Sequence, residues 1–286
     1  MRVRGVPFVV VAGSMSCLAL GCGTVSSLPE GQVAGRMPRK TPAAAQAPAA
    51  APAAVDPMAL ATRLQAIQPA WPATRRSATF RPRLLNCTML KCVALTFDDG
   101  PGKLTRRLLD DLAARQAKAT FFVVGRMIEA DGPDTLRRMV AEGHELGNHT
   151  WDHPSLPSLS RAGVKSQMVR TQKAVSAAVG VKMQIMRPPY GATNDSVAVS
   201  MRDLGLAQIL WNVDTVDWRD RNPAVVFKRA VKAPPGSIVL MHDIHKTTVE
   251  AVPPMLDALL AKGYTFVTVS ELYGKAPAPG GRYTKR

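Results

Sequence analysis

The chain has 286 residues, 46% of them apolar and 5% aromatic, with a formal net charge of +16. That length is enough for one large domain or two small ones, with a core. The charge invites a nucleic-acid partner, but its distribution argues against one: residues 1–91 carry 11 Lys/Arg against 2 Asp/Glu, residues 92–274 carry 22 against 19, and residues 275–286 carry 4 against none. The basicity therefore sits in the flanks. Such flanks suit an anionic wall or membrane surface, and equally a solvated tether.

Arg2 and Arg4 precede an apolar run over residues 6–20 that is too short and too weakly flanked for a membrane span. Residues 1–22 are therefore expected to be an export signal, placing the protein outside the cell or on its surface. Ala19-Leu20-Gly21-Cys22 is similar to a bacterial lipobox, with Ala19 where Leu is usual. Lipidation of Cys22 and attachment to the membrane, simple cleavage, and a retained anchor all remain open. Residues 23–85 form an expected linker, almost entirely Ala and Pro over 38–57, with a short helix expected at 58–67. Of the four cysteines, Cys87 and Cys92 follow the signal region. A pair in an exported protein predicts a disulfide that staples the approach to the first strand.

The pattern tightens after Cys92. Short apolar runs at 93–97, 119–124, 144–148, 183–187, 208–212, 237–242 and 264–269 predict seven strands. Helical spacing at 104–115, 134–142, 160–179, 195–204, 224–232 and 250–262 lies between them, with Ser160 a plausible N-cap. This alternation predicts an α/β fold with a parallel sheet, open or closed into a barrel, over 86–274, followed by a basic tail, 275–286.

In such folds chemistry collects where strands end. Here the predicted strands end in Asp98-Asp99, Asn148-His149, Arg187-Pro188-Pro189-Tyr190, Asp214 with Asp217-Trp218, and His242-Asp243. Adjacent carboxylates repel unless a cation holds one and an arginine the other; Asp98 and Asp99 are otherwise a turn pair before Gly100-Pro101. His149 and His153, four apart, can meet one metal or simply pack. Two histidines and one aspartate make an open metal site. Arg187 suits a carboxylate fork or a surface ion pair. Trp218 suits a sugar face or a core gap. His144 and His245 read as structural.

Together these residues resemble the NodB-homology polysaccharide deacetylases, carbohydrate esterase family 4, over roughly residues 92–273. Five family motifs occur in order: Thr96-Phe97-Asp98-Asp99-Gly100-Pro101, His149-Thr150-Trp151-Asp152-His153-Pro154, Arg187-Pro188-Pro189-Tyr190, Asp214-Thr215-Val216-Asp217-Trp218 and Leu240-Met241-His242. The resemblance implies a deformed, incomplete (β/α) barrel of about seven parallel strands, making 86–274 a catalytic domain. It implies Asp98 as general base, with Asp99, His149 and His153 binding a divalent metal, usually zinc. His242 would be the general acid, Arg187 would orient Asp98, and Asp217 would orient His242. The Tyr190 amide would help hold the oxyanion, and Trp218 and Leu240 would line the pocket. The implied reaction is removal of N-acetyl groups from N-acetylglucosamine of a cell-wall polysaccharide, with peptidoglycan favoured. Chitin or its oligomers, acetylated xylan, and a non-catalytic wall-tethered glycan binder are the competing readings. No protein partner is inferred.

Overall fold

The computed structural model describes residues 78–286; the expected export signal, the lipobox at Cys22, the 58–67 helix and most of the linker lie outside them. Among the described residues the strands are β1 (Ala78–Thr79), β2 (Lys91–Asp98), β3 (Thr120–Val123), β4 (Glu145–Asn148), β5 (Val181–Lys182), β6 (Ile185–Met186), β7 (Ala207–Ile209), β8 (Val213–Asp214), β9 (Ser237–His242), β10 (Tyr264–Val267) and β11 (Arg282–Tyr283). Nine of them form one sheet in the order β11-β7-β6-β4-β3-β2-β9-β8, with β10 also paired to β2; every pairing is parallel. All seven strands expected from the sequence are present.

β2 is the axis of the sheet. Seven of its eight residues are buried, as expected for a parallel strand covered on both faces. Its side chains alternate, as a pleated strand requires. Val93, Leu95 and Phe97 join the core beneath the helices. Cys92 and Ala94 join a second cluster with Ile185, Ile209, Ile238 and Val267. Thr96 and Asp98 share the parity of Cys92 and Ala94, so they face the barrel interior. The register sets Asp98 beside His242 and Leu240 beside Thr96.

The sheet curls nearly into a closed barrel. β7 lies near one edge and β8 forms the other, yet only Leu210, Trp211 and Asn212 separate them in the chain. Four residue steps reach at most about 14 Å, so the two flanks must approach each other. The result is a curled parallel half-barrel with helices outside, in agreement with the expected fold class.

Two boundaries differ from the sequence expectation. The linker does not run unstructured to residue 85: β1 pairs with β5, and Arg83 is bound to Glu271 at 2.6 Å. The segment 275–286 is not a detached basic tail. It enters the main sheet as β11, and its last residues bond Ser237 and Gly236 at the start of β9. Charge and Gly/Pro content marked both segments as solvated, whereas unpaired sheet edges gave them partners. Cys87 and Cys92 are joined by a disulfide, their Cα atoms 5.5 Å apart, just where β2 begins.

Candidate active site

Four strands deliver most of the site, with β3 lying between β4 and β2, and Asp217 follows a fifth, β8. β2 ends at Asp98 and passes directly to Asp99. β4 ends at Asn148 and passes to His149. β6 is followed by Arg187, and β9 ends at His242. The loops beyond are strained. Among the described residues seven non-glycine residues have positive φ, and six of them (Asp99, Thr150, His153, Tyr190, Val216 and Arg221) belong to the segments that follow β2, β4, β6 and β8. A left-handed conformation costs on the order of 1–3 kcal/mol for such residues and persists where the surroundings enforce it. Asn148 is one such enforcer: its side chain accepts from the Thr150 amide at 2.9 Å and donates to the Met168 carbonyl at 3.0 Å.

Asp99, His149 and His153 converge so that one ligand atom from each lies within 4.8 Å of the others. Their closest approaches are 3.6 Å from His149 Nε2 to Asp99 Oδ1 and 3.5 Å from His153 Nε2 to the same oxygen. His149 Nδ1 lies 2.7 Å from the Arg187 carbonyl. That contact makes Nδ1 the protonated nitrogen and leaves Nε2 with a free lone pair. Burial pulls the His149 pKa down to about 3, overriding the attraction of Asp99, so the ring is neutral as a ligand must be. One carboxylate and two imidazoles with a free face fit a divalent ion.

Beside this set lies Asp98, buried and bonded at Oδ1 to Arg187 Nη1 at 2.8 Å. Its other oxygen lies 3.7 Å from His149 Nε2. Burial raises the Asp98 pKa, and the Arg187 charge opposes the rise. Arg187 is fully buried, and each nitrogen of its fork has a partner. Nη1 donates to Thr96 Oγ1 at 2.7 Å as well as to Asp98, while Nε and Nη2 donate to the Ile209 and Leu210 carbonyls, both at 3.1 Å. The guanidinium stacks 4.2 Å over the Phe122 ring. A lysine could reproduce neither the fork nor the stack.

The third group is His242 with Asp217. His242 Nδ1 is 2.8 Å from Asp217 Oδ1. Asp217 Oδ2 accepts from the His242 amide at 2.7 Å and from Thr248 Oγ1 at 2.6 Å. Burial alone would lower the His242 pKa. The hydrogen bond and charge of Asp217, helped by Asp98 and Asp99, outweigh it and push the value up to about 9. The ring is therefore a cation at neutral pH. Asp217 is held below its ordinary value because its His242 partner outweighs burial.

Of the remaining sequence candidates, Tyr190 lies in a tight turn with φ 60° and packs edge-on to His153, its side chain 73% exposed. Trp218 follows Asp217 and is 49% exposed. Leu240 is buried one pleat below His242. The disulfide lies at the far end of β2, away from these groups. His144 is buried, its Nδ1 accepting from the Ala119 amide, as a structural histidine. His245 stands nearer the chemistry, its ring 5.7 Å from that of His242.

Sequence reasoning quoted Thr96 in the first motif without giving it a role, and did not single out Thr248. Thr96 was legible, being two residues before Asp98 and so on the same strand face. Thr248 left no local signal, because a separate helix, Lys246–Ala261, brings it to Asp217.

Comparison with known proteins places this arrangement. Residues 86–209 match the polysaccharide deacetylase family. The chitin deacetylase of Colletotrichum lindemuthianum is 40% identical over 73% of this chain and 90% of its own length. The chain belongs to the polysaccharide deacetylase family. The peptidoglycan-N-acetylglucosamine deacetylase PgdA of Listeria monocytogenes is 46% identical over 68% of this chain, which spans only 41% of that protein's length. A solved deacetylase structure with substrate superposes with a TM-score of 0.67 at 45% identity, covering 70% of this chain and 99% of the other. The NodB-homology resemblance therefore holds for this family member, and its strand-end motifs are the parts that meet in the site.

Proposed function

We propose that the protein is a metal-dependent hydrolase that removes N-acetyl groups from N-acetylglucosamine residues of peptidoglycan. The observation that carries this is one group of strand ends holding three complementary devices: a partly exposed ligand set, a carboxylate fixed by Arg187, and an imidazolium fixed by Asp217. Binding a glycan would require none of them. The 46% identity to a peptidoglycan-N-acetylglucosamine deacetylase supports the glycan. The expected export signal and basic N-terminal segment support work at the wall after secretion, with Cys22 as the point of any lipid anchor.

Asp99, His149 and His153 hold the ion, zinc in this reading. When bound it supplies Lewis-acid polarisation of the acetyl carbonyl and eases loss of a proton from water. Asp98 is the general base; Arg187 occupies Oδ1, so Oδ2 takes the proton of the attacking water. The Tyr190 amide, fixed in its left-handed turn, donates to the carbonyl oxygen as negative charge develops there. His242, charged through Asp217, gives a proton to the sugar nitrogen as the C–N bond breaks. Acetate and a free amine result. Base and acid keep opposite protonation states at one pH because each has its own buried partner. Trp218 offers an exposed ring for a sugar face, and Leu240 lines the floor beneath.

Chitin is the second reading, favoured by the alignment across 90% of a chitin deacetylase. The test is acetate release by the purified chain from peptidoglycan, chitin oligomers and acetylated xylan, with and without chelator and restored zinc. Metal-dependent release, fastest from peptidoglycan, is expected. Faster release from chitin oligomers would favour the second reading. No release from any of the three by metal-loaded protein would overturn the enzymatic assignment.

A further inference from the structure

The C-terminal strand reaches Arg187, which holds the proposed general base, through a single peptide unit. β11 is the outermost strand and covers the edge of β7. The Gln208 amide donates to the Gly281 carbonyl at 2.9 Å, and the Leu210 amide donates to the Tyr283 carbonyl at 2.7 Å. The peptide plane containing the Leu210 N–H also contains the Ile209 carbonyl, which accepts from Arg187 Nε. A trans peptide projects its N–H and C=O to opposite sides. The Ile209–Leu210 peptide is thus gripped by the tail on one side and by Arg187 on the other. The next carbonyl, Leu210 O, takes Arg187 Nη2. Both backbone anchors of Arg187 therefore lie on the short run that β11 secures.

The tail is itself held at both ends. At its start the Gly280 amide donates to the Leu206 carbonyl at 2.8 Å, and the Gly280 carbonyl accepts from Gln208 Nε2 at 3.2 Å. At its end Lys285 bridges Ser237, the Arg286 amide donates to the Gly236 carbonyl at 2.9 Å, and the Lys285 carbonyl accepts from the Tyr273 hydroxyl at 2.7 Å. The strap thereby ties β7, which anchors Arg187, to the root of β9, which carries His242. It crosses the seam that β8 and β7 leave open.

We infer that residues 280–286 are a positioning element for the deacetylation proposed above, fixing Arg187 and through it Asp98. None of the tail's hydrogen bonds reaches Asp99, His149 or His153. Its loss should therefore act on turnover and spare both binding steps. A misplacement of a reacting group by about 1 Å can cost on the order of 100-fold in rate.

The experiment compares the full chain, the chain ending at Pro279, and the full-length Gly280→Val chain. Gly280 has φ 78°, and a Cβ there would lie 2.9 Å from Arg202 Cβ and 3.0 Å from the Ala198 carbonyl, so a side chain should lift the start of the strap. Zinc affinity, KM and kcat are measured on each chain, together with exchange of the Arg187 Nε–H with solvent by NMR. The expected result for both variants is kcat lower by about 10-fold or more, with KM and zinc affinity changed by less than about threefold, and faster Nε–H exchange. A peptide of residues 278–286 added to the truncated chain should restore kcat by re-forming the edge strand. Zinc affinity that falls in step with kcat would mean general loosening and would overturn the inference. An unchanged kcat and unchanged exchange in a truncated chain that still melts cooperatively would overturn the inference. If the truncated chain does not fold, the Gly280→Val chain decides by the same readouts. Inactivity of the full, zinc-loaded chain would instead count against the deacetylase reading, and the exchange measurement would still test the strap.

Discussion

Asp98 and Glu145 are both buried carboxylates at strand ends, one at the C-terminal end of β2 and the other at the N-terminal end of β4. Around Glu145 each donor has a settled place. Its oxygens accept from the Ser270 amide at 2.9 Å and the Ser270 hydroxyl at 2.5 Å. Nearby, Thr268 and Glu271 form a capping box on the helix Val269–Tyr273, and Glu271 also binds Arg83. No non-glycine residue among these has a positive φ. Around Asp98 and His242 the backbone is strained at six positions, and one ligand atom from each of Asp99, His149 and His153 converges within 4.8 Å of the others. Burial of charge is common to the two ends. A metal-type ligand set gathered by strained loops belongs only to the upper, C-terminal end of the strands, and that difference separates a reactive site from a structural network at the lower, N-terminal end.

The largest effect that would sharpen this contrast is at Asp98. Asp98→Asn keeps the shape and the Arg187 contact but cannot accept a proton. Acetate release should fall by about 100- to 10,000-fold, while zinc binding by equilibrium dialysis stays near the parent value. Retention of most of the activity would remove Asp98 from the role of base.

A smaller effect concerns pH. His242 must be protonated to act as an acid, so turnover should fall as pH rises through its pKa, about 9 without metal and lower beside a bound cation. Asp217→Asn removes the main force raising that pKa, and the falling limb of the kcat profile should move to lower pH. A limb that stays in place would break the link between the two residues. The same pair contributes to stability: a raised folded-state pKa gives stabilisation that is complete below the unfolded value of 6.5 and is lost as pH rises through about 9.

The smallest effect belongs to the lower end. Burial pushes the Glu145 pKa up to about 7, against its Ser270 hydrogen bonds. A carboxyl with a raised folded-state pKa favours the native state below the unfolded value of 4.5, and that contribution is lost as pH rises through about 7. Glu145→Gln cannot ionise, so its melting temperature relative to the parent should improve steadily from pH 5 to pH 8, with turnover unchanged. A loss of turnover at temperatures well below melting would mean that the two ends are coupled.

Much of the upper end was legible in the chain. Asp98, His149, Arg187 and His242 each follow an apolar run, and parallel strands place such positions on one rim. The Ser160 cap was legible too, its hydroxyl accepting from the Gly163 amide as expected. Less could be read where a segment has no periodicity of its own. β6, β7 and β8 are two or three residues long, too short for an alternating pattern, and β8 was absorbed into the loop after β7. The helix Lys246–Ala261 starts four residues before the expected position and carries Pro253 and Pro254 in its interior, where proline ordinarily interrupts a helix.

The sequence by itself determined the alternation of strands and helices, the identity of the strand-end residues and the family to which they point. All of these are carried by local spacing and residue type. Tertiary structure alone decided that Arg187 would be wholly buried with four oxygen partners, that Thr248 would reach Asp217 and that a basic terminal segment would become an edge strand. Those outcomes depend on which unpaired backbone groups and buried charges come within hydrogen-bond reach once the sheet has curled. No local pattern in the chain records that distance.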